Sequence, residues 1–304
     1  MSTAANDKRN FSIDKRYVLD GGLSRRQDWS SQQTTEVTMT TIEKHTAVRL
    51  HREVRGQGPA VLLIAGTPGD GGQFDALAQE LAGSHTVITY DRRGTSRSPE
   101  PQEWTVTSVA EHAEDAAALV ADETAGPALV YGTSNGAAVA LELAVRHPEQ
   151  VSAVILHEMP LLTVVADPQP VADAMGAVIG AAMEQGGPVA ALEAFLRMAF
   201  GDPVVDGWNP ALRHRLLANA SMAFGIELPA FQSYRPDESQ LAEVTVPVHV
   251  LVGRDQAQPF FLEAADWLAQ RLQTVITRSP GGHGAHFTCP RELAATIGAI
   301  GMQR

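Results

Sequence analysis

The stretch Ala128-Leu129-Val130-Tyr131-Gly132-Thr133-Ser134-Asn135-Gly136-Ala137 decides the fold, because an apolar run of strand length passes straight through Gly-x-Ser-x-Gly into the amphipathic run Ala137 to Arg146. A serine between two glycines at a strand-to-helix junction has the pattern of a nucleophile elbow. The chain must turn sharply there, holding the serine in a strained backbone conformation that thrusts Oγ outward. Side chains at Gly132 and Gly136 would collide with neighbouring backbone. The bare pentapeptide arises by chance in about one chain in ten of such glycine and serine content, so its strand and helix flanks carry the argument. Ser134 is the candidate nucleophile.

Outward from the elbow, strand-length apolar runs alternate with helix-length amphipathic ones. The strand candidates are Ala47 to Val54, Pro59 to Ala65, His85 to Tyr90, Ala128 to Gly132, Val151 to His157, Val246 to Val252 and Thr274 to Arg278. Helix candidates lie at Gln73 to Leu81, Val109 to Asp122, Asn135 to Arg146, Phe260 to Leu272 and Arg291 to Ile300, with apolar residues at three- and four-residue spacing. This alternation predicts an α/β protein, a doubly wound, mostly parallel sheet covered by helices on both faces. The rhythm breaks from Leu161 to about Glu243, where only helical segments occur: Val171 to Glu184, Val189 to Phe200 and Pro210 to Ala223. That interval is too long for a loop and reads as a helical cap inserted before the last two strands, above the strand ends where α/β sheets bind ligands. Its Met198, Phe200, Trp208, Met222, Phe224 and Phe231 either line a pocket or form the cap's own core. The expected organisation is a polar, flexible extension over residues 1–40, a core over 41–160 and 244–304, and a cap over 161–243. Met39 is a possible alternative start.

The chain has 304 residues, 44% hydrophobic and 19% charged, enough apolar material for a large core. With 23 Lys+Arg against 35 Asp+Glu the net charge is -12, the wrong sign for neutralising phosphates, so nucleic acid and anionic membrane surfaces are not expected partners. No run approaches the ~18 apolar residues of a membrane span, and the basic pairs near the N-terminus precede no apolar segment of a signal peptide. The single Cys289 allows neither an internal disulfide nor a cysteine-based zinc site and fits a reducing cytoplasm.

A serine needs a base to take its proton. The Gly-rich loop Pro280-Gly281-Gly282-His283-Gly284-Ala285-His286 offers two histidines. His283 is favoured because its glycine neighbours suit an exposed loop, and His286, nearer the closing helix, is assigned to packing or to bracing the loop. A carboxylate must then hold the imidazole tautomer. Asp255, just beyond the strand Val246 to Val252, is favoured, since Ser134, Asp255, His283 follow the order Ser, acid, His. Glu158, at the end of the strand Val151 to His157, is the alternative acid, and whichever is not used should line the pocket or brace a loop.

With these residues in place the chain resembles the α/β-hydrolase family over about Ala47 to Gln303. Asp91-Arg92-Arg93-Gly94-Thr95-Ser96-Arg97-Ser98 is similar to the family's D-x-R-G-x-G-x-S loop, with Ser96 in place of the second glycine. Gly282-His283 followed by Pro290 matches its G-H-x6-P spacing, which supports His283. Ala65-Gly66-Thr67-Pro68-Gly69 resembles its H-G-x-P loop, with Ala65 where His is usual. The resemblance implies an oxyanion hole made of the backbone N–H groups of Thr67 and Asn135. A backbone donor does not depend on the side chain at the neighbouring Ala65, and Pro68 has no N–H to offer.

The implied activity is a serine hydrolase cleaving a carboxylic ester of a small or medium hydrophobic substrate through an acyl-enzyme, with no cofactor and no metal. The glycines after Thr67 complete no nucleotide-binding pattern, and His157-Glu158 begins no H-E-x-x-H zinc motif. Lactonase, carbon-carbon bond hydrolase and prolyl-iminopeptidase-like aminopeptidase are alternatives with the same triad; the last would use cap carboxylates among Glu184, Glu193 and Glu227 to bind a free amine. A ligand-binding protein without turnover on the same fold is the alternative of another class. The expected partner is a small-molecule substrate, and a homo-oligomer is possible.

Overall fold

The computed structural model describes residues 49–302 except 257. The expected extension over residues 1–40 lies outside the described residues. Among the described residues seven strands form one sheet in the order β1-β3-β2-β4-β5-β6-β7. They are β1 (Arg52–Arg55), β2 (Ala60–Ile64), β3 (Thr86–Tyr90), β4 (Ala128–Thr133), β5 (Val151–His157), β6 (Val248–Gly253) and β7 (Ile276–Ser279). Only β1 runs antiparallel, pairing Arg52 with Tyr90 of β3; every other neighbouring pair is parallel. All seven expected strands occur, and the sheet is the mostly parallel one expected.

The strands read as continuous apolar runs because both faces are covered. Alternate residues point to opposite sides, so Leu62 and Ile64 of β2 enter one core with Val130, Leu156 and Val250. Val61 and Leu63 enter the other with Leu129, Tyr131 and Leu251. The first face carries α2 (Val109–Glu123) and α3 (Asn135–Arg146), together with α10 (Pro259–Arg271). The second carries α1 (Asp75–Leu81) and α12 (Pro290–Gly301). Ser108 caps α2 by accepting from the Glu111 N–H, which fixes where that helix starts.

Between β5 and β6 come only helices among the described residues: α4 (Gln169–Phe200), α5 (Asp202–Asp206), α6 (Pro210–Ala218), α7 (Ala220–Met222), α8 (Leu228–Ser233) and α9 (Glu238–Ala242). Helix α4 breaks at Gly186 and Gly187, where the backbone leaves helical values ahead of Pro188, and this divides the two helical segments expected from the sequence. A π-helical turn over Ala223–Glu227 links α7 to α8. The insertion has its own core around Leu192, Leu196, Trp208, Leu212 and Leu216. The short α11 (Ala285–Thr288) completes the set just before α12.

Candidate active site

Ser134 sits between β4 and α3 at φ 54° and ψ -132°, a left-handed backbone that a non-glycine residue adopts only under constraint. The constraint is visible on both sides. The Ser134 N–H donates to the His157 carbonyl at 3.0 Å, and a Cβ on Gly136 would lie 2.2 Å from the Ile64 carbonyl oxygen. The elbow glycines are thus required by close backbone approach. Gly66 is required similarly, because a Cβ there would meet the Ser134 Cβ at 2.8 Å.

His283 lies in the loop between β7 and α11, and its Nδ1 is 2.9 Å from Glu158 Oε2. Two phenyl rings flank the imidazole, Phe200 at the end of α4 stacked with centroids 5.7 Å apart and Phe261 of α10 at 4.8 Å. Glu158 is the first residue after β5, turned at φ 50° and only 2% exposed. Its Oε1 accepts from the Gly253 N–H at 2.8 Å, and its Oε2 also accepts from Gln256 Nε2 at 2.6 Å. Burial would push this carboxyl up, but the hydrogen bond and charge of His283, helped by the Gly253 amide, outweigh it and hold the group below the usual carboxylate range.

This arrangement corrects the expectation that Asp255 holds the imidazole. Both β5 and β6 deliver a carboxylate to the same sheet edge, but the main chain at Asp255 bends away, its N–H donating to the Gly281 carbonyl at 3.0 Å. The Asp255 side chain is exposed at the cavity wall and takes no hydrogen bond or ion pair among the described residues. Glu158, turned inward at the end of its strand, reaches the histidine. The signal for it was Gly253, where a Cβ would lie 2.8 Å from Glu158 Oε1, so that a bare backbone faces the carboxylate. His286 is buried against Phe74, Phe200 and Phe287, in keeping with the packing role assigned to it.

The loop after β2 brings Thr67 beside Asn135, whose Nδ2 donates to Thr67 Oγ1 at 2.9 Å. No acceptor engages the main-chain N–H of Thr67 or Asn135 among the described residues. Sequence reasoning missed how this loop is held. Arg92, 1% exposed, donates from Nη1 to the carbonyls of Ala65 and Gly66 and from Nε to Glu227 Oε1 at 2.7 Å. Glu227, fully buried in the insertion, accepts in turn from Thr67 Oγ1 at 3.4 Å. Asn219 donates to the Pro68 carbonyl at 3.2 Å, and Arg215 pairs with Asp70 at 2.7 Å. Ser96, at φ 50°, donates its N–H to Asn219 Oδ1 and accepts from Asn219 Nδ2, so the serine keeps the backbone of the usual glycine while adding a contact to the insertion. Arg93 pairs with Asp115 at 2.6 Å and with Glu111, fastening the same loop to α2.

Ser134, Asn135 and His283 open onto one cavity of about 700 Å³ between the strand edge and the insertion. Its apolar wall includes Val171, Met198, Phe200, Leu228, Phe231 and Phe261, and among the described residues no lysine or arginine lines it. Of the six insertion residues considered for this wall, Met198, Phe200 and Phe231 line it, Trp208 and Phe224 pack in the insertion's own core, and the half-buried Met222 does neither. No cluster of three or more metal-ligating side chains occurs among the described residues. No helix among them is long and apolar enough to cross a membrane.

Residues 61–296 match the model of the alpha/beta hydrolase family. An uncharacterized hydrolase of Bacillus subtilis (strain 168), YraK, is 33% identical over 252 residues, covering 82% of this chain and 90% of that protein. A pimeloyl-[acyl-carrier protein] methyl ester esterase of Chromobacterium violaceum is 29% identical over 75% of this chain and 88% of its own length. Among solved structures, the enol-lactonase from Burkholderia xenovorans LB400 shares the fold with a TM-score of 0.67 at 18% identity, over 85% of this chain and 99% of that one.

Proposed function

The chain belongs to the alpha/beta hydrolase family, and from that premise we propose that it is a serine hydrolase that cleaves a carboxylic ester of a small or medium hydrophobic acyl group. Ser134 is the nucleophile, His283 the general base, Glu158 the carboxylate that orients His283, and the N–H groups of Thr67 and Asn135 the oxyanion hole. The helical insertion is a cap over the substrate.

The observation that carries this reading is the Glu158–His283 hydrogen bond at 2.9 Å, made through Nδ1. With Nδ1 committed, Nε2 is the nitrogen left to take the Ser134 proton, and a buried carboxylate stabilises the imidazolium that results. Ser134 Oγ attacks the ester carbonyl carbon, and its proton passes through His283 to the departing alkoxide. The oxyanion charge falls on the two N–H groups. Water then attacks the acyl-Ser134, giving its proton to His283, and the carboxylic acid leaves as Ser134 recovers its own. The apolar cavity, with no lysine or arginine of the described residues on its wall, favours an uncharged acyl chain over an anionic one. The aminopeptidase reading loses support, because Glu227 is paired with Arg92 and Glu193 with Arg197 and Arg213, while Glu184 is exposed away from the cavity wall.

Fluorophosphonate labelling read by intact mass tests the proposal without a choice of substrate. Wild type should gain one adduct on Ser134 that is absent in Ser134→Ala and strongly slowed in His283→Ala. A panel of p-nitrophenyl esters from acetate to decanoate should then show turnover dependent on both residues. No adduct on wild type, together with thermal stabilisation by apolar ligands and no product, would instead make the protein a binding module.

A further inference from the structure

Two departures from the family pattern converge on the loop that carries Thr67: Ala65 lies at its start, and Ser96 reaches it through Asn219, which also donates to the Pro68 carbonyl. At that place three residues of the helical cap, Arg215, Asn219 and Glu227, contact Asp70, Pro68 and Thr67 in turn. Resting on the serine hydrolase reading above, we infer that the buried Arg92–Glu227 pair is a positioning device for the oxyanion hole, and that seating of the cap completes the hole.

The geometry gives the reason. Arg92 grips the carbonyls of Ala65 and Gly66, and the Gly66 carbonyl shares its planar peptide unit with the Thr67 N–H, so the guanidinium fixes the plane in which that donor points. A histidine at position 65 could brace the loop from its own side chain; with alanine there, the Arg92 guanidinium holds the Ala65 and Gly66 carbonyls instead. Arg92 is in turn oriented by Glu227, its Nε and Nη2 both 2.7 Å from the same carboxylate oxygen. Glu227 comes from the cap, on the π-helical turn that links α7 to α8. Its second oxygen accepts from Thr67 Oγ1, and the same hydroxyl accepts from Asn135 Nδ2, so one chain of hydrogen bonds runs from the cap to the side chains of both residues whose N–H groups are the candidate oxyanion donors. Neither Arg92 nor Glu227 lines the substrate cavity. They act through Thr67, and their removal should weaken transition-state binding while leaving ground-state binding in place.

A buried ion pair can be replaced by apolar residues of similar volume without loss of the fold, whereas removal of one partner strands a charge. The test therefore compares the double variant Arg92→Met/Glu227→Leu with the singles Arg92→Lys and Glu227→Gln, using p-nitrophenyl butyrate and an alkyl trifluoromethyl ketone whose hemiketal oxyanion occupies the same hole. The double variant should keep the wild-type melting temperature within a few degrees and KM within about threefold. Its kcat should fall about a hundredfold or more, the size expected when one oxyanion donor is misplaced. Ketone inhibition should weaken by a similar factor, and Glu227→Gln, which keeps an acceptor for Arg92, should recover part of both. The inference is overturned by a folded double variant with kcat within threefold of wild type, or by a loss confined to KM. Should the double variant fail to fold, folded singles in which ketone affinity is unchanged overturn it equally. A wild type that neither labels with fluorophosphonate nor turns over ester removes the hydrolase reading itself, an outcome distinct from variants that behave as wild type.

Discussion

At the scale of single residues, the site turns on which carboxylate reaches His283. Sequence order admits both Glu158 and Asp255, because each follows a strand that ends at the same sheet edge, and order cannot say how far a side chain reaches. What decides is local backbone: Glu158 turns at φ 50° directly off β5 and is received by the bare amide of Gly253, whereas Asp255 is carried past the strand and held by Gly281. Glu158→Gln should therefore lower kcat by roughly three to four orders of magnitude, through loss of the correct imidazole tautomer. Asp255→Asn should stay within about threefold of wild type, as an exposed side chain with no partner would. Steady-state kinetics on one activated ester checks both, and the reverse ranking would return the role to Asp255. Of the proposed site, Ser134, His283 and the N–H groups of Thr67 and Asn135 could be named from sequence because each is tied to a short motif. Arg92 was quoted within a motif and given no role, since nothing local distinguishes a buried arginine from a solvated one.

At the scale of elements, the strands and crossover helices were legible because parallel strands buried on both faces are unbroken apolar runs and their helices keep a three-to-four spacing. The insertion was legible only as helices. Its kink needed the Gly186-Gly187-Pro188 sequence read as a break, and its contacts to the Thr67 loop join residues about 150 positions apart, for which sequence carries no local signal. Glycine roles divide in the same way. Gly176 and Gly180 stand on the exposed first half of α4 with open space where a Cβ would go, so their freedom is only a cost to the helix. Replacing each by alanine should stabilise the protein by about 0.5 to 1 kcal/mol in urea denaturation. Gly136→Ala would drive a Cβ to 2.2 Å from the Ile64 carbonyl and force β2 from α3, with an expected loss of about 3 kcal/mol or more. Equal effects at Gly136 and Gly180 would contradict the account of the elbow.

At the scale of the whole molecule, the distribution of buried titratable groups sets the response to acid. His112, His157 and His286 are each at most 1% exposed. Burial holds His157 down to about 4 and the other two well below the ordinary histidine value. The surroundings agree: among the described residues both ring nitrogens of His286 and Nδ1 of His112 have no hydrogen-bond partner, so an imidazolium there would be unsolvated. In the unfolded chain these groups titrate near ~6.5, so below that pH the unfolded state binds more protons than the folded one. Stability is therefore full above pH ~6.5 and falls as pH drops from there toward the folded values. Three such groups give a limiting slope of about 4 kcal/mol per pH unit. The buried carboxyls act lower: Glu158 and Asp70, both held below their ordinary values against the push of burial, withdraw stability as pH falls from those ordinary values toward their folded ones. Acid unfolding should thus begin well above the carboxylate range. Urea denaturation at pH 7.5, 6.5, 5.5 and 5.0 reads the proton uptake on unfolding directly, with two to three protons expected between pH 6 and 5. Uptake near zero until about pH 4.5 would mean that the histidines are charged or solvated in the folded protein, and that the carboxylates alone govern its acid limit.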